Sequence, residues 1–382
     1  MRRPLKIAHC IDHSARARCE DRFTLLLPVR ETAGKNPLKK NEENKKLCQF
    51  SSSIPAKHIT DFSFPMAPEP RYDDFLPSDK QSFVPSAELV ARHQSLKWRN
   101  ICGIALVHIW GMYGLWYGLQ TIKWSALLFI IAYGWAGGLG VTAGAHRLWS
   151  HRSYRAKWQL RVILAAFFYA AGLTTIHDWV RDHRVHHKFV DTSADPHDIN
   201  RGFFFAHCGW IMTGKHPMVI QQGRKLDMED ILRDKVVSWC DENFYFMKMF
   251  FCFALPTLIL RYVFDEPWWL CVGTNMVRYM ISLNGVWSVN SVAHYFGGHP
   301  YDKNIRPAEN WFVTACALGE GWHNYHHVFP FDYSSSEFGF KKNNATTLFI
   351  NFFSLIGWAR DLKTASKEMV QRHAARCGDG TY

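Results

Sequence analysis

Long apolar runs alternate with charged, histidine-bearing stretches along this chain. The runs are Ile101–Leu119, ending near Lys123; Ser125–Ala145; Met249–Tyr262, broken by Pro256 with Lys248 at its entry; and Trp268–Val289, which follows the acidic turn Asp265-Glu-Pro267. The first two approach the ~20 residues that a helix needs to cross a bilayer. The pattern therefore predicts spans over about 101–119, 125–145, 249–262 and 268–289. A fifth run, Leu160–Ile176, carries Arg161 near its start, and Thr347–Trp358 is shorter, so it reads as interfacial or packed. Between them, residues 188–245 mix acids and bases and read as a soluble cap. Within the second run, Gly134/Gly138 and Gly140/Gly144 form two GxxxG pairs, a pattern that permits close helix packing. Arg278 lies inside the fourth run, where a charge is costly and should be paired.

Composition changes the picture in three ways. The 382 residues are 48% apolar, yet polar stretches offset them and the net charge is +12. A basic excess suits nucleic acid, anionic lipid or an anionic small molecule. No nucleic-acid module is visible, so a cytoplasmic leaflet and an anionic ligand are the better partners. Ten cysteines without a CxxC pair read as reduced thiols. Residues 1–50 hold 12 Lys/Arg against 6 Asp/Glu, and their longest apolar piece, Leu25–Val29, is too short for a signal peptide. Residues 1–72 read as a basic, disordered cytosolic tail and 73–382 as one domain, with residues 51–85 rich in Ser and Pro.

The candidate chemistry lies in three histidine boxes: His146-Arg-Leu-Trp-Ser-His151, His183-Arg-Val-His186-His187 and His323-Asn-Tyr-His326-His327. On a helix, HxxHH sets the first and the last two imidazoles on one face. A lone HxxHH is more often a polar surface; three boxes flanking apolar runs would require three coincidences. Eight histidines exceed one tetrahedral zinc site. Imidazole suits several transition metals. The count, beside a membrane, points to a two-metal oxidative centre, with iron as the metal that fits oxygen activation. If the boxes build one centre, they share one side of the membrane. Leu160–Ile176 then lies along the interface or re-enters, and both termini and the charged loop face the cytosol, as the positive-inside rule favours. On that topology the sequon Asn344-Ala-Thr346 stays unmodified.

These boxes, with Asn290-Ser-Val-Ala-His294 and the run Gly319-Glu-Gly-Trp-His-Asn-Tyr-His-His-Val-Phe-Pro330, resemble membrane acyl-CoA desaturases of the stearoyl-CoA type. The resemblance runs from about Tyr72 to the C-terminus and includes Arg201-Gly-Phe-Phe-Phe205, Pro300-Tyr-Asp-Lys303 and Gly378-Asp-Gly-Thr381. It implies an all-α membrane protein with four transmembrane helices and a cytosolic cap, in the endoplasmic reticulum, that uses O2 to desaturate a long-chain acyl-CoA. It implies two iron ions (Fe2+) on His146, His151, His183, His186, His187, His294, His323, His326 and His327, with Asn290 acting through a water. It implies electrons from cytochrome b5 and its NADH-dependent reductase. Arg181, Asp182, Asn100 and Lys215 match positions that meet the CoA moiety, and Trp179 and Trp287 match positions that line the acyl tunnel. His177, His197, His207, His216 and His299 are expected in supporting or surface roles.

The chain departs from the family at Leu173-Thr174, where a Gln-Asn pair is common, and at Gly214, where an Arg is common. Gly134 and Gly138 stand where larger residues are common, which would lengthen the tunnel and favour longer acyl chains or a shifted double bond. The competing expectations are a histidine-box acyl hydroxylase and a catalytically inactive lipid-binding homologue; the full set of nine histidines and Asn290 speaks against the second.

Overall fold

The computed structural model describes residues 95–118 and 120–382; the 1–72 tail, the Ser- and Pro-rich stretch 51–85 and Leu119 lie outside the described residues. Helix α1 (Trp98–Gly118) buries only Gly111, Gly114 and Gly118. These glycines let it run against the long helix Trp268–Tyr295. A Cβ on Gly114 would lie 2.5 Å from the carbonyl oxygen of Gly273, so α1 tolerates no side chain there. The remaining surface of α1 turns Ile109, Trp110 and Trp116 outward, an apolar face suited to lipid.

Helix α2 (Trp124–Leu139) continues as a π-helix over Gly140–Ser150, and it packs on α3 (Trp158–Ala171). The close approach is made by Gly137, Gly140 and Gly144: Cβ atoms there would meet Ala171, Phe168 and Leu164 at 3.2, 2.1 and 3.3 Å. Only one of the two GxxxG pairs read from the sequence therefore serves packing on α3. Gly134 and Gly138 turn elsewhere, towards Arg278 Cγ at 3.4 Å and Leu318 Cδ1 at 2.7 Å from their would-be Cβ positions. After α3 the chain reverses at Gly172 (φ +71°) and enters α4 (Ile176–Phe189) at 84° to α3. The Thr175 hydroxyl accepts from Asp178 N, and the Asp241 carboxylate accepts from the N–H groups of Ile176 and His177, so the exposed donors of the first turn are satisfied. A single straight crossing over 160–176 is thus absent.

Two short helices of the polar cap follow, α5 (Pro217–Arg224) and α6 (Lys235–Glu242). Helix α7 (Phe244–Tyr262) contains a π-turn over Met249–Ala254 just before Pro256. Proline has no N–H, so the Cys252 carbonyl, four residues earlier, lacks its helical donor. That carbonyl accepts from Arg278 Nη2 at 2.8 Å and from Asn275 Nδ2 at 3.1 Å. Arg278 also donates to Ala170 O and Asn275 Oδ1, both at 2.8 Å. The expected partner of this buried charge is therefore a ring of carbonyls at the end of α3 and the break in α7, with no carboxylate among the hydrogen bonds described.

Arg278 belongs to α8 (Trp268–Tyr295), 28 residues and about 42 Å long at 1.5 Å per residue. Among the described residues three helical stretches can cross a membrane by length and composition, Trp98–Gly118, Trp124–Ser150 and Phe244–Tyr262, or four if α3 with α4 counts as one broken span. Helix α8, expected as a span over 268–289, is less apolar than these, because Thr274, Asn275, Arg278, Ser288, Ser291 and His294 lie along it, all of them buried within the protein. It lies against α1, α2 and α7 and extends past 289 into the histidine centre.

The C-terminal part holds α9 (Trp311–Cys316), α10 (His323–Val328), α11 (Ala345–Leu355) and α12 (Lys367–Cys377). A two-residue antiparallel ladder joins β1 (Arg155–Ala156) to β2 (Ala359–Arg360). Helix α11 buries Thr346, Thr347 and Ile350 and exposes Leu348, Phe352 and Leu355, the two-faced character of an interfacial helix. Asn344 is buried at its N-terminus, donating to Ser334 O and accepting from Arg147 Nη2 and Thr347 N. The folded protein leaves no space for a glycan on this amide. None of the seven described cysteines forms a disulfide.

Candidate metal centre

Box one lies on the π-helical end of α2. There the His151 N–H donates to His146 O at 3.1 Å, and this i→i+5 closure brings residues five apart onto one face. The two imidazoles lie 4.9 Å apart, centroid to centroid. An ordinary α-helix would splay them. Box two lies on α4, box three on α10, and His294 near the end of α8.

The two HxxHH boxes do not each serve one face. His183 and His187 join His146, His151 and His326 in one cluster, whereas His186 joins His294, His323 and His327 in another. Each box gives its i,i+4 pair to one cluster and its third-position histidine to the other. Within each cluster the candidate ligand atoms lie within 4.8 Å of one another. Facing Nε2 atoms stand at 2.8 Å (His146–His326 and His151–His183), 3.0 Å (His187–His326 and His294–His323) and 3.2 Å (His323–His327).

Hydrogen bonding among imidazoles does not account for this arrangement. A neutral imidazole carries one N–H. His146 directs Nδ1 to Glu320 at 2.7 Å, and His186 directs Nδ1 to Asp195 at 2.8 Å, so their Nε2 atoms present lone pairs. The Nε2 of His186 is buried without a hydrogen-bond partner. Burial pushes the pKa values of His323, His326 and His327 well below the usual histidine range, and neighbouring histidines push the same way. Neutral lone pairs converging in a buried space are the donor set that a transition metal takes. The residues thus fit two metal ions.

Carboxylates fix the rings from behind, which the sequence reading missed. Glu320 bridges His146 and the fully buried Arg147, whose Nη2 lies 2.7 Å away. Burial raises the Glu320 pKa, but Arg147 and His146 outweigh it and hold the carboxyl at about 2. Asp195 is likewise held at about 2 against burial, by His186. Asp191 lies 3.7 Å from His294 Nδ1. Such partners set the tautomer and the direction of a ligating imidazole. Glu320 was within reach of sequence reasoning, inside Gly319-Glu-Gly-Trp; Asp191 and Asp195 stood in a loop with no spacing signal.

The other expected residues are distributed around this centre. Asn290 is one turn before His294 on α8, half-buried. Trp179 stacks on His183 at 4.9 Å with planes 14° apart. Trp287 is buried between His108 and His207. Asp182 joins Lys215 at 2.5 Å and Arg181 at 3.1 Å, and Arg181 also reaches Asp178 at 2.8 Å. Asn100 donates to Ile211 O at 2.8 Å. Leu173 presents its carbonyl to Lys248, and Gly214 N donates to Ser95 O. A pocket of about 180 Å³ lies beside Asp195, lined also by Arg201, Phe205, Trp210, Lys215 and His216. Of the remaining histidines, His197 lies 5.5 Å from His186 without entering either cluster, and His207 bonds Ser291 and Asn284. His216 accepts from Met218 N, His177 faces Asp178, and His299 reaches Arg306 O.

The family description "Fatty acid desaturase" matches residues 122–338. The chain is 47% identical over 292 residues to an acyl-CoA Delta-9 desaturase of Acheta domesticus, covering 76% of this chain and 81% of that protein. It is 48% identical over 293 residues to stearoyl-CoA desaturase 5 of Bos taurus, covering 75% and 86%. It is 46% identical over 282 residues to an acyl-CoA Delta(11) desaturase of Spodoptera littoralis, covering 74% and 83%. With two converging histidine clusters on a helical membrane scaffold, and this likeness over three quarters of its length, the chain belongs to the fatty acid desaturase family, among its acyl-CoA desaturases.

Proposed function

We propose that this enzyme converts a saturated long-chain acyl-CoA to a cis-monounsaturated acyl-CoA with one O2, two electrons and two protons, releasing two waters. The observation that carries the proposal is the division of nine histidines, five buried and four half-buried, into two metal-capable clusters. Two iron ions, when bound, supply the oxygen activation needed to take hydrogen from an unactivated methylene pair, which no side chain can do. The nine histidines would be their ligands, with Asn290 acting through a water.

The chain's own residues position and exclude. Glu320 and Asp195 aim His146 and His186. Trp179, stacked on His183, forms an apolar wall beside one cluster, and Trp287 forms a second. Lys215 and Arg181, with Asp182 between them, offer a charged surface to the phosphates of CoA, and Asn100 adds to it. Gly134 and Gly138 border the closed end of the acyl tunnel, with Arg278 and Leu318 in the space that side chains there would take. The start of α1 lies at the cap, because Lys97 N donates to Met212 O at 2.7 Å. In this reading the cap faces the cytosol from the endoplasmic reticulum, and cytochrome b5 and its NADH-dependent reductase supply the electrons.

The position of the double bond is the property in which the similar proteins differ, Delta-9 in one and Delta(11) in another. The test is expression in cells lacking other desaturases, with microsomes given NADH and a panel of saturated acyl-CoAs. Mass spectrometry should find one double-bond position, lost in His186→Ala. A hydroxylated product, or no product from any acyl-CoA, contradicts the proposal.

A further inference from the structure

Away from the histidine boxes, Asp302, His373 and Cys377 bring an oxygen, a ring nitrogen and a sulfur within 4.8 Å of one another. His373 and Cys377 are four residues apart on α12, so one helix face presents both. Asp302 comes from the loop after His299. Its Oδ1 accepts from the backbone and side chain of Asn304, at 2.8 and 2.9 Å. All three residues are half-buried. The Nε2 of His373 is itself buried and has no hydrogen-bond partner. Its ring lies 5.7 Å from that of Phe329.

Packing alone gives no reason for this trio. Helix α12 already docks through Val370 and Ala374 onto Tyr301, Tyr325 and Phe329. A thiol, an imidazole and a carboxylate beside that apolar contact form a ligand set. Sulfur selects a soft or borderline ion over magnesium or calcium, and three mixed ligands leave a fourth tetrahedral position for water.

We propose that Asp302, His373 and Cys377 bind one zinc-class divalent cation that clamps α12 onto the 299–303 loop. The loop is also tied to box three. Asn324 Oδ1 accepts from Tyr301 N and Asp302 N at 2.9 and 3.0 Å, and Asn324 Nδ2 donates to Asp302 O at 2.9 Å. Asn324 directly follows His323, so the ion braces the segment that carries box three without touching the histidine clusters.

The test uses the full-length, iron-loaded enzyme and cobalt(II) as the probe. The histidine clusters contain no sulfur, so a thiolate-to-cobalt charge-transfer band reports a different site. The band is expected in the wild type and in Cys316→Ser, whose cysteine is exposed elsewhere, and is expected to vanish in Cys377→Ser and His373→Ala. Zinc should then fall by one ion per chain in those two variants while bound iron is unchanged, and zinc should raise the melting temperature of the wild type but not of Cys377→Ser. Absence of the band in the wild type, or its persistence in Cys377→Ser, overturns the proposal. These readouts do not depend on desaturation, so this proposal and the functional one fail separately.

Discussion

His187 and His327 stack face to face, with ring centroids 4.1 Å apart and planes 11° from parallel. One belongs to the first cluster and the other to the second. The pair is the seam at which boxes two and three meet. Substituting either ring should therefore disturb both clusters. We expect His327→Ala to lower iron below one ion per chain, beyond the loss of a single site, and to abolish product; iron analysis on purified variant checks this.

Glu320 acts on the metal only through His146 and Arg147. Glu320→Gln keeps the shape but removes the charge that fixes the His146 tautomer. Iron affinity should drop by roughly 10- to 100-fold, with activity recovered in part at high iron. Arg147→Met, by contrast, leaves a buried carboxylate uncompensated. It should destabilise the fold by about 3–5 kcal/mol, seen as a lower melting temperature whatever the iron supply.

Arg278 closes the carbonyls left by Pro256 and by the end of α3. Arg278→Met should cost about 2–3 kcal/mol, the scale of charged hydrogen bonds lost in a buried site. The thermal midpoint should fall, while the product keeps its double-bond position.

Gly134 and Gly138 test the tunnel reading. A side chain at 138 meets Leu318 at once, whereas one at 134 meets only the flexible stem of Arg278. Gly134→Tyr should shift the preferred substrate to a shorter acyl chain on a saturated acyl-CoA panel. An unchanged chain-length profile would mean that this face of α2 does not border the substrate.

Glu309 gives a pH dependence outside the membrane. Burial raises its pKa from 4.5 to about 8, against the lowering effect of bonds from Tyr325 N and Asn324 N. The folded state thus favours the protonated acid. Its contribution to stability is complete below pH 4.5 and is lost as pH rises through about 8. Glu309→Gln should flatten the decline in melting temperature across that window.

Much of this was legible in the sequence because it rests on periodicity and spacing. The runs predicted at 101–119, 125–145 and 249–262 correspond to α1, the α2 stretch and α7, and the nine histidines converge as a set. What was hidden depends on backbone detail. The π-helix that aligns His146 with His151 has no mark in residue identity, so its closure is not legible in HxxxxH. The split of each HxxHH between two clusters follows from where α4 and α10 cross, not from their spacing. Pro256 was read as a break, but its consequence, a carbonyl awaiting Arg278, needed the fold to bring α7 and α8 together. Likewise the GxxxG pattern of α2 suggested close packing at both pairs, and only the position of α3 separates Gly140 and Gly144, which touch it, from Gly134 and Gly138.

The central claim is that two irons, one per histidine cluster, perform the desaturation. The most direct measurement is iron content and product formation on the same purified preparation, in the wild type and in His151→Ala/His183→Ala. The account predicts two irons per chain and an unsaturated acyl-CoA in the wild type, and about one iron per chain with no product in the variant. A wild type that makes product with one iron per chain, or a variant that retains two irons, would contradict it.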